Sequence, residues 1–204
     1  MGAARVGTPH RMQTLSRRTA IGATVALALS AGAAPTLAAG GKTLTGGTFR
    51  TTAPTGWSVK SKAKSGEHLF ALASPGTKVD GVGVPGAGGV GITILEHRAS
   101  LLAKQLKKKS LPSSPVAVFD DVVGTPSAAS GVQPTGAVTR TTFKGSPAAK
   151  GAFTYTYQGR TIAQSDLVVL RKGRVFFIET DTDSAQAAAG ATALAHVKSA
   201  WRWR

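Results

Sequence analysis

The chain has 204 residues, in which 25 Lys and Arg face 9 Asp and Glu, and it contains no cysteine. The lack of cysteine excludes disulfides, zinc–thiolate centres, thiol catalysis and a lipid anchor on cysteine. This length suits a leader followed by one domain that is large enough to bury a core.

The first 39 residues have the features of a cleavable signal peptide. A basic segment precedes a short apolar run over residues 20–34, and small residues surround Ala38 and Ala39, where we expect cleavage. The apolar run is too short and too rich in Ala and Gly to act as a membrane anchor. We therefore expect an extracellular or cell-wall protein that does not span a membrane.

The arginine pair Arg17-Arg18 stands directly before the apolar run and resembles a twin-arginine (Tat) signal. The match is partial, because Ala20 and Gly22 occupy positions where that motif favours Phe and Lys. Export by the ordinary Sec route therefore stays open beside the Tat route.

The charge of the remaining chain is strongly positive. The leader holds four arginines and no acid, so residues 40–204 carry 21 basic and 9 acidic side chains, a net charge of +12. Such a field attracts an anionic envelope polymer, a lipid surface or an acidic protein. Nucleic acid is not an expected partner of an exported protein. The alternative is a solvated surface that only aids solubility.

The first half of residues 40–204 alternates short strand patterns with turn residues. Gly, Thr and Lys predict a flexible lead-in over 40–55, and one apolar face predicts a helix over 99–109. The predicted strands cover 56–59, 68–73 and 116–123, with a hairpin of 79–84 and 90–95 around a glycine-dense turn.

The second half contains the clearest hairpin. Residues 167–170 and 175–178 are continuously apolar and flank Lys172-Gly173, so we expect a tight turn between two strands covered on both faces. Strands are also expected over 138–143 and 152–157. A helix, capped by Asp181 and Asp183, should then run almost to the terminus.

The order of these pieces resembles the PsbP-like fold, which is also found in LpqN-type envelope proteins of actinobacteria. Gly56-Trp57-Ser58-Val59, the late hairpin and the ending Ser199-Ala200-Trp201-Arg202-Trp203 carry the resemblance. It implies one α+β domain over 56–204, an antiparallel sheet flanked by helices with a long C-terminal helix. It also implies an accessory or binding role in the cell envelope.

The candidate contact residues follow from charge and from one tryptophan. Trp203 should fall on the outer side of the terminal helix, where an exposed Trp indicates a partner contact. The long loop of small residues over 124–136 is a further place to expect a partner. The candidate anion contacts are Lys60, Lys62, Lys64, Lys104, Lys107, Lys108, Lys109, Arg202 and Arg204.

Two alternatives to a non-enzymatic binding protein remain. A hydrolase or metal-dependent enzyme would use the pairs Glu67-His68 and Glu96-His97, but adjacent strand residues point apart. A small-ligand carrier would line its pocket with aromatic rings. No motif indicates a catalytic residue, a metal site or a cofactor. The rings available to a carrier are those of Phe153, Tyr155, Tyr157, Phe176 and Phe177.

Overall fold

The structure, a computed structural model, describes residues 41–80, 83–123 and 130–204. The predicted leader and its cleavage site lie outside these residues. The helices are α1 (Ala99–Gln105), α2 (Pro115–Val122) and α3 (Ala187–Ala200), the last preceded by a 3-10 turn at Ser184–Gln186. The strands are β1 (Thr43–Thr45), β2 (Phe49–Thr52), β3 (Ser58–Lys64), β4 (Glu67–Ala73), β5 (Val90–Arg98), β6 (Ser130–Pro134), β7 (Thr139–Phe143), β8 (Ser146–Tyr157), β9 (Arg160–Arg171), β10 (Arg174–Asp183) and β11 (Arg202–Trp203).

The main sheet is antiparallel and has the strand order β3-β4-β5-β10-β9-β8-β6, with β7 also paired to β8. The hairpin β9–β10 lies in its middle, as the two apolar runs predict. Its turn residues Lys172 and Gly173 both have positive φ, 44° and 71°, which matches the twist of the strands they join.

One face of the sheet, the terminal-helix face, is covered by α3 and by a small second sheet of order β1-β2-β11. The rings of Phe49 in β2 and Trp201 after α3 stack at 4.2 Å between centroids. Phe176 of β10 meets both rings edge-on. This aromatic cluster joins the two sheets and the end of the helix into one core.

The opposite face, the two-helix face, is covered by α1 and α2. Leu102 of α1 and Phe119 of α2 are buried against Val168 and Val175 of the central hairpin. Both faces of the hairpin are therefore dry, as expected for continuous apolar strands. The predicted fold class is confirmed: α+β, an antiparallel sheet between helices, with a helix near the C-terminus.

The predicted flexible lead-in is wrong for the residues that the structure describes. Residues 43–45 and 49–52 form β1 and β2, in which Leu44 and Phe49 are buried. Their Gly- and Thr-rich surroundings concealed them, because the core that Leu44 and Phe49 join is completed by residues far along the chain, such as Trp201, on which Phe49 stacks.

The predicted strand over 116–123 is also wrong, because these residues form α2. Pro115 occupies the first helical turn, where its missing N–H removes no hydrogen bond. Val118, Phe119 and Val122 then share one buried face at helical spacing. Packing on the sheet outweighs the strand preference of the β-branched residues.

Three further boundaries differ from the predictions. Residues 79, 80, 83 and 84 do not pair with 90–95, because both sides of β5 are taken by β4 and β10, and residues 81 and 82 of the predicted hairpin lie outside the described residues. Residues 124–129 of the predicted loop lie outside the described residues, whereas Ser130–Pro134 is strand β6. The terminal helix stops at Ala200, since Trp201 is extended, with φ −64° and ψ 130°.

Candidate anion-binding surface

Strand β3 forms one edge of the main sheet and carries three of the predicted anion contacts, Lys60, Lys62 and Lys64. Val59 packs into the core of the terminal-helix face. Because side chains alternate along a strand, the three lysines project on the two-helix face. We call this row of lysines the lysine edge. Within the described residues, no acidic side chain forms an ion pair with it.

The helix α1 lies on the same face and adds exposed lysines. Gln105 Nε2 donates to Glu67 Oε1 at 3.0 Å, which ties the end of α1 to β4, the neighbour of β3. Lys107 has a left-handed φ of 54° just beyond the helix. Lys108 is committed to an ion pair with Asp121 of α2. The exposed members of this group are Lys104, Lys107 and Lys109.

A cleft of about 590 Å³ opens on the other flank of α1, against the β9–β10 turn. Ala103, Leu111 and Val175 contribute apolar walls, and Lys109 and Lys172 are among the cationic residues that line it. The sequence predicts a tight turn at Lys172-Gly173, but it does not predict that the cations of Arg-Lys-Gly-Arg over 171–174 line a cleft.

The remaining predicted contacts, Arg202, Trp203 and Arg204, lie in and beside β11 on the terminal-helix side. Trp203 is not an exposed ring on a helix: it is half-buried, and Arg171 stacks over it at 4.7 Å. Its Nε1 donates to the carbonyl of Lys144 at 2.9 Å. Arg202 and Arg204 are exposed. The predicted contacts thus fall into two groups on opposite sides of the sheet.

The two acid–histidine pairs also separate across the sheet. His97 Nδ1 lies 3.4 Å from Glu67 Oε1 on the two-helix face, where burial lowers the pKa of His97 against the opposing effect of Glu67. Glu96 faces the other side and accepts hydrogen bonds from Gly47 N and Thr48 Oγ1, both at 2.7 Å. The four side chains form no common site. In the described ranges, no group of three or more His, Asp or Glu is placed to hold a metal ion.

The aromatic set expected of a carrier is divided in the same way. Phe176 lies in the terminal-helix core, 5.0 Å from Trp203. Phe153 packs on the other face beside Phe119, with ring centroids 6.3 Å apart. Tyr155 is buried there too, and its hydroxyl donates to Asp181. Because Phe176 lies on the opposite face from Phe153 and Tyr155, the rings of the predicted set do not line one common pocket.

Sequence reasoning missed a buried cluster of acids on the two-helix face. Asp166 and Glu179 are cross-strand neighbours, as are Gln164 and Asp181. Gln164 Nε2 donates to Asp166 Oδ2 at 2.8 Å and to Glu179 Oε2 at 3.3 Å. Burial raises the pKa of Asp181 well above its usual value, and the nearby Glu179 and Asp166 raise it further.

This cluster also corrects the expected helix caps. Asp181 lies inside β10, and Asp183 precedes the 3-10 turn without a side-chain capping bond. The register of the predicted hairpin was the sequence signal that could have revealed this acidic cluster. A turn at Lys172-Gly173 pairs Asp166 with Glu179, since both lie six residues outside the turn on their own strands.

No family profile matches the chain, and no curated protein matches its sequence. The solved structures to which the chain is similar include the following three. LpqN of Mycobacterium tuberculosis, described as involved in cell envelope biogenesis, has 13% identity and a TM-score of 0.44, covering 80% of this chain and 84% of that one. PsbP of Synechocystis sp. PCC 6803 has 9% identity and a TM-score of 0.45, covering 86% and 99%.

The third is a putative regulator of unknown function, PA94 of Pseudomonas aeruginosa, with 12% identity and a TM-score of 0.38, covering 72% of this chain and 85% of that one. At such identities the likenesses concern the fold alone. Two of them, LpqN and PsbP, bear the names of the proteins that the sequence resembles.

Proposed function

We propose that this protein is an exported, non-enzymatic accessory protein of the cell envelope that binds an anionic partner through the two-helix side. The binding surface consists of the lysine edge on β3 together with the exposed lysines of the α1 region. The residues proposed to contact the anion are Lys60, Lys62, Lys64, Lys104, Lys107 and Lys109.

The placement of the acids carries this proposal. Of the nine acidic side chains, only that of Asp120 is exposed; the others are buried or half-buried. Asp121 is neutralised by Lys108, and Glu67 is bound by Gln105. Glu67 of β4 stands opposite Lys64, but the residues opposite Lys60 and Lys62 are Ala71 and Leu69, which carry no charge. An external anion therefore supplies the negative charge that the chain does not place beside these lysines.

The proposed location rests on the leader. The arginine pair, the apolar run and the small residues before Gly40 are those of an export signal. In the ranges that the structure describes, no helix is long and apolar enough to cross a membrane. We propose export by the Tat or the Sec route, cleavage near Ala38 or Ala39, and an extracellular or cell-wall location.

The first prediction concerns the lysine edge. Replacing Lys60, Lys62 and Lys64 together by Gln should weaken binding to polyphosphate, because the variant loses three positive charges from one surface, two of which have no acid opposite them. Isothermal titration would measure the dissociation constant. In the parent protein, raising the ionic strength from about 0.05 M to about 0.5 M should weaken binding roughly tenfold, because salt screens exposed charges.

The matched control replaces Lys42, Lys150 and Lys198 by Gln. It removes the same charge from the terminal-helix side, where Lys150 pairs opposite Leu167 of that core and Lys198 lies on α3. We expect a clearly smaller loss of binding. Equal losses in the two triple variants would contradict the proposed surface, and no polyphosphate binding by the parent would contradict the function.

A further inference from the structure

Strand β3 has a neighbour on one side only. It pairs with β4 through all seven of its residues, and no strand of the described chain lies along its outer side. Ser61 and Ala63 are exposed on this strand. Such an edge offers unpaired N–H and C=O groups along about 23 Å, given the usual rise per residue.

The direction of each backbone group follows from the register. Arg98 N donates to Gly66 O at 2.8 Å, so the even-numbered residues of β4 bond to β5 and its odd-numbered residues bond to β3. Those odd residues stand opposite Lys60, Lys62 and Lys64. The lysine amides therefore point inward to β4, and the amides of Val59, Ser61 and Ala63 point outward.

The side chains beside this open edge favour a partner strand that carries negative charge. The three lysines stand at every second residue on one face, so neighbouring ammonium groups follow the two-residue repeat of the strand, about 6.6 Å. An incoming strand with acids at every second residue would place each acid beside a lysine. Opposite charges on adjacent strands are favourable, and like charges are not.

We propose that the outer edge of β3 accepts an extended acidic segment of another protein as an added strand. The inference rests on the proposed function, since the same lysines attract the partner, and it names the partner as an acidic polypeptide. A second copy of this chain is a poor occupant, because β3 against β3 would bring two rows of lysine together. Backbone bonds supply affinity and the lysines supply specificity.

The test uses nine-residue peptides on the mature protein. The probe alternates Glu with Thr; a first control has the same composition with its glutamates in one block, and a second alternates Lys with Thr. We expect the alternating Glu peptide to bind at least fivefold more tightly than the block peptide and the Lys peptide not to bind. Equal binding of the two acidic peptides would overturn strand addition.

The variant that separates the two proposals is Ser61→Pro, with Ser61→Ala as its control. Proline removes one outward amide from an edge position, where strands tolerate it, and leaves every lysine in place. We expect the alternating peptide to bind at least tenfold more weakly to Ser61→Pro, with polyphosphate binding unchanged within twofold. Undiminished peptide binding would overturn the inference while leaving the proposed function standing.

A second measurement tests the inference even if the Ser61→Pro variant fails to fold. Amide hydrogen exchange in the parent protein should slow at Ser61 and Ala63 when the alternating peptide is added, and should not change at Lys62, whose amide already faces β4. Unchanged exchange at both outward amides would overturn the inference. Failure of the parent to bind either the peptide or polyphosphate would overturn the proposed function as well.

Discussion

Asp181 is a buried acid among other acids, and its surroundings favour the protonated form. It is 2% exposed, its Oδ1 accepts a hydrogen bond from the Tyr155 hydroxyl at 2.9 Å, and Glu179 and Asp166 lie nearby. Burial raises its pKa in the folded protein above the value near 3.9 of an unfolded chain. The folded state thus holds a proton that the unfolded state releases.

The sign of the pH dependence follows from this difference. The contribution of Asp181 to stability is fully present below the unfolded pKa and is lost as pH rises through the folded pKa. Asp181→Asn keeps an acceptor for Tyr155 and cannot ionise. We predict that the variant becomes more stable relative to the parent as pH rises from 5 to 8, by about 1 kcal/mol or more.

Urea unfolding at the two pH values would measure this change in the free energy of unfolding. Asp120→Asn is the matched control, because Asp120 is exposed on α2 and its replacement should change stability little at either pH. A difference between Asp181→Asn and the parent that does not grow with pH would contradict a raised pKa at this position.

Helix α3 approaches β10 closely at Gly190. A Cβ built on Gly190 would lie 2.3 Å from Cγ2 of Thr182 and 3.4 Å from Cγ2 of Thr180. The helix can approach the sheet this closely only because Gly190 has no side chain. The sequence predicts this helix, but the need for a glycine at position 190 is visible only once β10 lies opposite it.

We predict that Gly190→Ala destabilises the protein by about 1–3 kcal/mol, although alanine favours an isolated helix by about 1 kcal/mol. Thermal unfolding followed by circular dichroism would measure the loss. Adding Thr182→Ser removes the clashing methyl and keeps the hydroxyl that donates to Ala163 O, so the double variant should recover most of the stability. A stabilised Gly190→Ala variant would contradict the close approach.

Across the whole molecule, Trp201 links elements that are remote in sequence. It is fully buried between the end of α3, Phe49 of the small sheet and Phe143 of β7, with ring centroids 4.2 and 5.3 Å away. The pairing of β11 with β2 then joins the last residues to the first described strands. This pairing and the contacts of Trp201 place the two sheets around one shared core.

We predict that Trp201→Ala lowers the free energy of unfolding by about 3–5 kcal/mol, a large part of the stability of a single domain. Urea unfolding would measure it. Trp57→Ala is the control: Trp57 is only half-buried at the margin of the same core, so its loss should be smaller. Similar costs for the two variants would contradict the central position of Trp201.

The sequence by itself determined the central hairpin, the fold class and the positive charge of the chain. It also predicted helix α1, although over 99–109, whereas α1 ends at Gln105. These depend on signals carried by neighbouring residues: two apolar runs around Lys172-Gly173, an apolar stripe from Ala99, and composition. The predicted strand over 56–59 stopped short of Lys60, Lys62 and Lys64, and only the structure showed that β3 runs through them and places them on one face.

Only the tertiary structure decided the rest, because the interactions concerned join residues far apart in the chain. Leu44 and Phe49 lie in strands because they pack into a core shared with Trp201, and Val118 and Phe119 lie in a helix because their face of that helix packs on the sheet. The edge position of β3 and the burial of the acids are properties of the assembled sheet. Local propensity cannot report contacts that exist only after folding.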